Sequence, residues 1–371
     1  MTAAEAVLLV GGRGTRLRPL TVNTAKPMLP TAGVPFLTHQ LVRLADAGVR
    51  HVVLATSYRA ETFADHFGDG SALGLGIDYA VETAPMGTGG AIRHVADRLH
   101  GAPGDPVLVL NGDILSGHDL RAQVALHQSC DAEATLHLVT VPDARAFGCV
   151  PTDDDGRVTA FLEKMPDPVT NQVNAGCYVF RRAAIEEIPA GEVVSVERAT
   201  FPGLLAAGRR VMGYLEDAVA AEADGASGSA YWLDVGTPAA YVRGSSDLVL
   251  GRLHSSALPG PPGEALVLAG AQVAPDAVVR AGTTVGAGAV VGAGAVVEGS
   301  VLLDGAVVEA GATVRDSAVG AGAVVGSGTV LDGAVVGDGA RTGAGNELLA
   351  GLRLWPEATL ADSSLRFSSD E

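Results

Sequence analysis

Lysine is nearly missing from this chain of 371 residues: of its 25 basic residues only Lys26 and Lys164 are lysines. A sequence that meets its cationic needs with arginine and keeps two ammonium groups has kept compact, flexible point charges there. Positive charge is scarce altogether. The formal net charge is −17, which disfavours the long basic surfaces that nucleic acid or an anionic membrane would require. Cysteine is scarce too: Cys130, Cys149 and Cys177 have neither metal spacing nor an even count for a disulfide framework, which points to core residues of a cytoplasmic protein. The N-terminal apolar run is far too short to export or span, and Glu5 stands where a leader would be basic, so no membrane association is expected.

Against this acidic background the segment from Val7 to Pro30 stands out. Ala6 to Val10 reads as a short buried strand, followed at once by Gly11, Gly12 and Gly14, where side chains would keep backbone N–H groups from closing on an anion. Arg13, Arg16 and Arg18 follow with no acidic neighbour in sequence, and Lys26 precedes Pro27. Polyphosphate or solvent must meet three such guanidiniums. The turn is neither a dinucleotide fingerprint, since Leu17 stands where the third glycine belongs, nor a Walker loop.

The chain is long enough for two domains, and its texture changes once. Up to about Leu250 apolar runs alternate with helical stretches: HVVLAT at 51 to 56, PVLVLNGD at 106 to 113 and ATLHLVTV at 134 to 141 read as strands, TFADHFG and GGAIRHVADRLH as helices. That alternation predicts an α/β, Rossmann-like, mostly parallel sheet with helices on both faces. Ligands in such sheets sit outside the carboxyl ends of the strands, where the glycine turn and Asn111-Gly112-Asp113 would lie. Residues 216 to 230, acidic and rich in Ala, Gly and Ser, read as a surface loop.

After the Pro/Gly-rich stretch 258–265 the pattern is different. Val273, Val279, Val285, Val291, Val297 and Leu303 recur at six-residue steps; the phase then slips at Val308 and Val314, at Val319, Val325 and Leu331, and at Val336. Periodic branched residues with small corners predict a parallel β-helix of hexapeptide repeats. No aromatic residue falls between Leu266 and Ala350, as a narrow interior requires. The expected division is a catalytic domain at 1–257, a hinge at 258–265, a β-helix at 266–351 and a tail at 352–371, where Trp355 and Phe367 suggest docking.

GGRGTRLRPLT followed by AKP resembles the signature of the sugar-1-phosphate nucleotidylyltransferases, and the likeness continues through VETAPMGTGG at 81 to 90, LNGDIL, FGCV, FLEKM, VNAGCYVF and YWLDVGTP. The whole run looks most similar to the bacterial mannose-1-phosphate guanylyltransferases, which carry a C-terminal left-handed β-helix. The resemblance implies a GT-A-like catalytic domain and one reaction, in which mannose 1-phosphate attacks the α-phosphorus of GTP and expels pyrophosphate. It implies that Gly11, Gly12, Gly14 and Thr15 hold the triphosphate through backbone N–H groups, that Arg16 grips its β- and γ-oxygens, and that Lys26 lies between the two phosphates. Asp113 and Asp234 match the family's metal positions, so Mg²⁺ is expected; each could instead cap a helix. Glu82 matches a base-reading position, and a carboxylate there suits the adjacent N1–H and N2–H₂ donors of guanine. Gly87 and Thr88 belong to the turn near base and ribose. Gly148, Glu163, Lys164 and Asn174 match contacts to sugar hydroxyls and phosphate.

Other readings remain open: a uridylyl- or thymidylyltransferase, another sugar phosphate such as glucose or heptose phosphate, or a silent regulatory paralogue. The intact Arg16, Lys26, Asp113 and Asp234 speak against silence. Acyl transfer by the repeats would need a histidine base, yet the last histidine is His254. The repeats are expected to serve as a platform for homo-oligomers or regulation.

Overall fold

The computed structural model describes residues 4–57, 59–162, 166–219, 228, 231–349 and 351–366. It forms two compact units, one from Met1–Gly12 with Gln40–Leu233, the other from Arg13–His39 with Asp234–Glu371.

The first unit is built on a seven-stranded sheet of β1 (Glu5–Leu9), β2 (His51–Thr56), β3 (Gly76–Val81), β4 (Pro106–Asn111), β5 (Ala134–Thr140), β6 (Gln172–Arg181) and β7 (Val211–Val219). Their order is β7-β5-β6-β4-β1-β2-β3. All neighbours run parallel except β6, which is antiparallel to both β4 and β5. Strands covered on both faces must be apolar throughout, and Val7, Leu8, Val53 and Val109 are fully buried. Phe201 stacks on Phe180 at 5.6 Å within this core, and Val194 and Val196 pack into the same cluster.

Two sequence expectations shift here. Glu216–Val219 continues β7, because Val219 still pairs with Thr140 of β5; only the residues directly after Val219 lie outside the described ones. The helix expected over GGAIRHVADRLH runs from Gly87 to His94 and gives way to a 3₁₀ turn at Ala96–Arg98.

In the second unit three parallel sheets of six, six and five short strands form the left-handed β-helix. Val285, Leu302, Val319, Val336 and Leu354 stand in register from coil to coil. The inward residue of the second coil is Leu302 and not Leu303, so the first phase slip falls one step earlier than the sequence suggests. Stacked hydroxyls explain why the five-residue side is tolerated. Thr283 Oγ1 accepts from Ser300 N–H, Ser300 Oγ from Ser317 N–H, and Ser317 Oγ from Ala334 N–H at 3.0–3.3 Å, so these three corner amides are satisfied. Strands at Arg353–Leu354 and Thr359–Leu360 extend these sheets to the last coil.

Segment 13–39 and the helix Pro238–Val249 belong to the same unit. Ser245 Oγ accepts from Ala32 N–H at 2.9 Å and lies 3.2 Å from Thr284 Oγ1 of the first β-helix sheet. The Tyr241 hydroxyl donates to the carbonyl of Pro30.

Candidate active site

In the first unit the parallel strands β4, β1, β2 and β3 end along one edge, because Leu9 pairs with both Ala55 and Asn111 and Thr56 pairs with Val81. The edge therefore carries Gly11, Ser57, Glu82 and Gly112-Asp113. Strand β6 runs the opposite way and pairs Cys177 with Leu110, which brings its beginning, Asn174 to Gly176, to the same edge.

Close packing sets the glycines of this edge. A Cβ on Gly112 would stand 2.6 Å from the Leu9 carbonyl oxygen, and one on Gly11 would stand 2.9 Å from Ser57 Oγ, whose hydroxyl donates to the Gly11 carbonyl. Gly176 has φ +75° and would put a Cβ 2.7 Å from Asn111 Nδ2. Gly12 meets nothing within 4 Å. Among the described residues no carbonyl or side chain accepts from the backbone N–H groups of Gly11, Gly12, Arg13, Gly14 and Thr15. Successive backbone donors of this kind are the groups that anions accept from.

Glu82 is half-buried, its N–H donating to the Thr56 carbonyl at 2.8 Å. Burial pushes its carboxyl above the ordinary value, opposed by the Met86 amide and by His94. Asn174 donates through Nδ2 to the Tyr178 hydroxyl at 2.8 Å and accepts from Gly176 N–H at 3.1 Å. Burial, reinforced by the charges of Glu197 and Asp113 among others, drives the Tyr178 phenol upward, so it stays neutral. Gly148 precedes Cys149, which pairs with Leu162 and with Val173 beside Asn174. Glu163 and Lys164 lie outside the described residues.

Gly87 and Thr88 have work within the fold. Gly87 has φ +71° and would place a Cβ 2.5 Å from the Val194 carbonyl oxygen. The Thr88 hydroxyl donates to Glu197 Oε2 at 2.9 Å and accepts from Val196 N–H at 3.0 Å. Both residues tie the helix Gly87–His94 to the segment from Val194 to Glu197.

In the second unit Gly14 has φ +59° and opens a 3₁₀ turn, Thr15–Leu17, whose Leu17 is buried while Arg16 is exposed. Thr21 Oγ1 donates to the Gly14 carbonyl at 2.7 Å. Lys26 begins a second 3₁₀ turn, Lys26–Met28, and its stem lies against Gly14. The Arg16 guanidinium and the Asp234 carboxylate both lie beside Gly236: a Cβ there would be 2.6 Å from Arg16 Nη2 and 2.9 Å from Asp234 Oδ1. The triple-arginine turn thus has an acidic neighbour that linear sequence hides.

Neither metal candidate is used as a helix cap. The helix after Asp234 is capped by Thr237, which accepts from Ala240 N–H at 3.2 Å; Asp113 leads into a strand, Ile114–Ser116, and the next helix is capped by Asp119. Within its own unit each carboxylate is thus left out of helix capping. At the opposite edge of the sheet Glu5, His51 and His100 also gather. The buried Glu5 carboxylate accepts from the His100 and Gly101 amides at 2.8 Å each and lies 2.8 Å from His51 Nδ1, so this cluster is an internal polar network.

Sequence reading did not find Gly176, Gly236 or Thr21, and named Gly112 only within Asn111-Gly112-Asp113. The glycines fall inside the quoted motifs, which was the available signal. Their close neighbours are distant in sequence.

Comparison with known proteins places this geometry. Residues 5–249 match the family described as Nucleotidyl transferase, and residues 262–365 match the GMPPB C-terminal domain. The Mannose-1-phosphate guanylyltransferase of Mycobacterium tuberculosis is 52% identical over 367 residues, 99% of this chain and 98% of that protein. The Mannose-1-phosphate guanylyltransferase catalytic subunit beta of Drosophila melanogaster is 34% identical over 241 residues, 65% of this chain and 61% of its own. Among solved structures, HddC from Yersinia pseudotuberculosis aligns with a TM-score of 0.54 at 27% identity, covering 67% of this chain and 99% of HddC; it has also been solved complexed with GMP-PN. Among the described residues no helix is long and apolar enough to cross a membrane.

Proposed function

The chain belongs to the nucleotidyl transferase family, whose members use a divalent metal, and we propose that it joins mannose 1-phosphate to the guanylyl group of GTP, releasing pyrophosphate. The observation that carries this reading is the turn from Gly11 to Thr15, whose five backbone donors have no acceptor among the described residues, followed by a guanidinium. The 52% identity to the mycobacterial guanylyltransferase supports the choice of substrates.

The reaction needs no side-chain nucleophile. A phosphate oxygen of the sugar phosphate attacks the α-phosphorus and the α–β bridging oxygen leaves with the pyrophosphate, so catalysis is positioning plus neutralisation of moving charge. Gly11, Gly12, Gly14 and Thr15 hold the triphosphate and Arg16 takes charge on the leaving pyrophosphate. Lys26 supplies a mobile ammonium to the phosphates that react. Glu82 accepts from guanine, with Gly87 and Thr88 in the adjoining turn; Asn174 and Gly148 meet the sugar, together with Glu163 and Lys164. Asp113 and Asp234 would hold Mg²⁺, which when bound polarises the phosphoryl oxygens.

Three unbridged cysteines support a cytoplasmic setting; burial pushes the Cys177 thiol up to about 12, as expected of an inert core residue. The regular β-helix supports a homo-oligomer, which light scattering would establish. The main test is pyrophosphate release with a panel of triphosphates and sugar phosphates. Turnover with GTP and mannose 1-phosphate is expected, and turnover with UTP or dTTP but none with GTP would overturn the base assignment.

A further inference from the structure

One column of the β-helix changes character at its end. On the outer face of the first sheet Thr284, Val301, Ala318, Val335 and Arg353 stand in register from coil to coil. The first four are buried, and the helix Pro238–Val249 packs on strands of this sheet. The fifth, Arg353, is exposed, and its guanidinium would rest in water unless acceptors of the chain met it. Two do: Arg353 Nη1 donates to the carbonyl of Arg16 at 2.9 Å and to that of Arg18 at 2.8 Å. Among the described residues no other group donates to these two carbonyls. A tight turn leaves such carbonyls without intrahelical partners, and here a side chain more than 330 residues further along the chain supplies the donor.

We infer that Arg353 is a positioning residue for the transferase reaction. By fixing the carbonyls on either side of Leu17 it holds the turn that presents the Arg16 guanidinium beside Gly236 and Asp234. The last coils of the β-helix therefore take part in catalysis. The inference rests on the guanylyltransferase reading for its assay but not for its geometry.

Arg353→Ala is expected to lower kcat by about ten- to a hundredfold while KM for GTP changes by less than about threefold, because a displaced catalytic group costs rate more than affinity. Arg353→Lys, whose ammonium can donate to both carbonyls, should recover most of the loss. In an Arg16→Lys background Arg353→Ala should cost little more, since coupled residues are not additive. An equal cost in both backgrounds, or a lowered melting temperature with unchanged kcat, would overturn the inference. Hydrogen exchange gives a reading independent of turnover. The amides of Leu17, Arg18 and Leu20 should exchange faster in Arg353→Ala and not in the control Arg315→Ala, and unchanged exchange would equally overturn it. If the wild type uses another triphosphate, the substrate reading fails and the same variants are compared on that substrate.

Discussion

Gly14 and Lys26 occupy adjoining space so closely that a Cβ on Gly14 would stand 2.9 Å from Lys26 Cβ. With φ +59° at Gly14, an alanine there meets backbone strain and collision together. The collision is with the stem of the residue expected to carry the mobile charge, so Gly14→Ala should displace Lys26. We expect kcat to fall by about a hundredfold, with a stability loss of about 1–3 kcal/mol. Steady-state kinetics and urea unfolding measure both, and an alanine variant with wild-type kcat would refute the link.

Strand β4 and its turn are joined by a second close approach. A Cβ on Gly112 would lie 2.6 Å from the Leu9 carbonyl oxygen and 2.7 Å from Val10 Cγ1, in a position that Gly112 N–H also secures by donating to Leu9 at 2.9 Å. Gly112→Ala must move Asp113 away from the end of β1. The expected result is a rise of at least about tenfold in the Mg²⁺ concentration giving half-maximal activity, since positioning shells commonly contribute that much. An unchanged Mg²⁺ dependence in a folded variant would separate Asp113 from the metal.

What could be read from sequence divides along a physical line. Periodic features were readable because burial repeats: HVVLAT at 51 to 56 coincides with β2, and the valine column fills the β-helix from Val285 onward, whereas its first member, Val273, is exposed and Val279 is only partly buried. The slip to Leu302 was misplaced because adjacent Leu302 and Leu303 are chemically equivalent in sequence, and only the hydroxyl ladder from Thr283 to Ser317 shows where the side shortens. Motif residues such as Asp113 and Glu82 are legible by type as candidates. What made Gly236, Gly112 and Arg353 necessary was not readable, because their neighbours Arg16, Leu9 and Arg18 lie about a hundred residues or more away and no local propensity encodes the contact.

Glu82 supplies a specificity prediction. Its half-buried carboxylate can accept from two guanine donors, whereas Glu82→Gln keeps shape and replaces one acceptor by a donor. A charged hydrogen bond lost in this way costs about 1.5–3 kcal/mol, or about ten- to a hundredfold in kcat/KM for GTP. Use of UTP should rise at the same time. Because burial raises the Glu82 carboxyl pKa, KM for GTP should climb as pH falls into the upper carboxylate range, and that climb should be absent in Glu82→Gln. A variant with unchanged preference among triphosphates would remove Glu82 from base reading.

Stability should fall on mild acidification, and the cause lies away from the candidate active-site edge. His118 and His137 stack at 3.5 Å inside the first unit, and burial lowers both, His137 to about 3; burial first, with Arg181 assisting, lowers His127 to about 4. Among the described residues neither His137 ring nitrogen has a hydrogen-bond partner. These rings stay neutral in the fold but take up protons once unfolded, near the ordinary histidine value of about 6.5. The unfolded state therefore binds more protons below that pH, so the contribution is complete above it and is lost progressively as pH falls toward the folded values. Each histidine costs at most about 1.4 kcal/mol per pH unit in that window. Urea unfolding at pH 7.5 and 5.5 should show a loss of a few kcal/mol, above the range where most carboxylates titrate. His137→Phe, which keeps an aromatic ring against His118 and removes one titrating group of the four that burial lowers, His39 being the fourth, should reduce the pH slope by about a quarter to a third even if its stability at pH 7.5 differs. A slope unchanged by that substitution would place the acid sensitivity elsewhere.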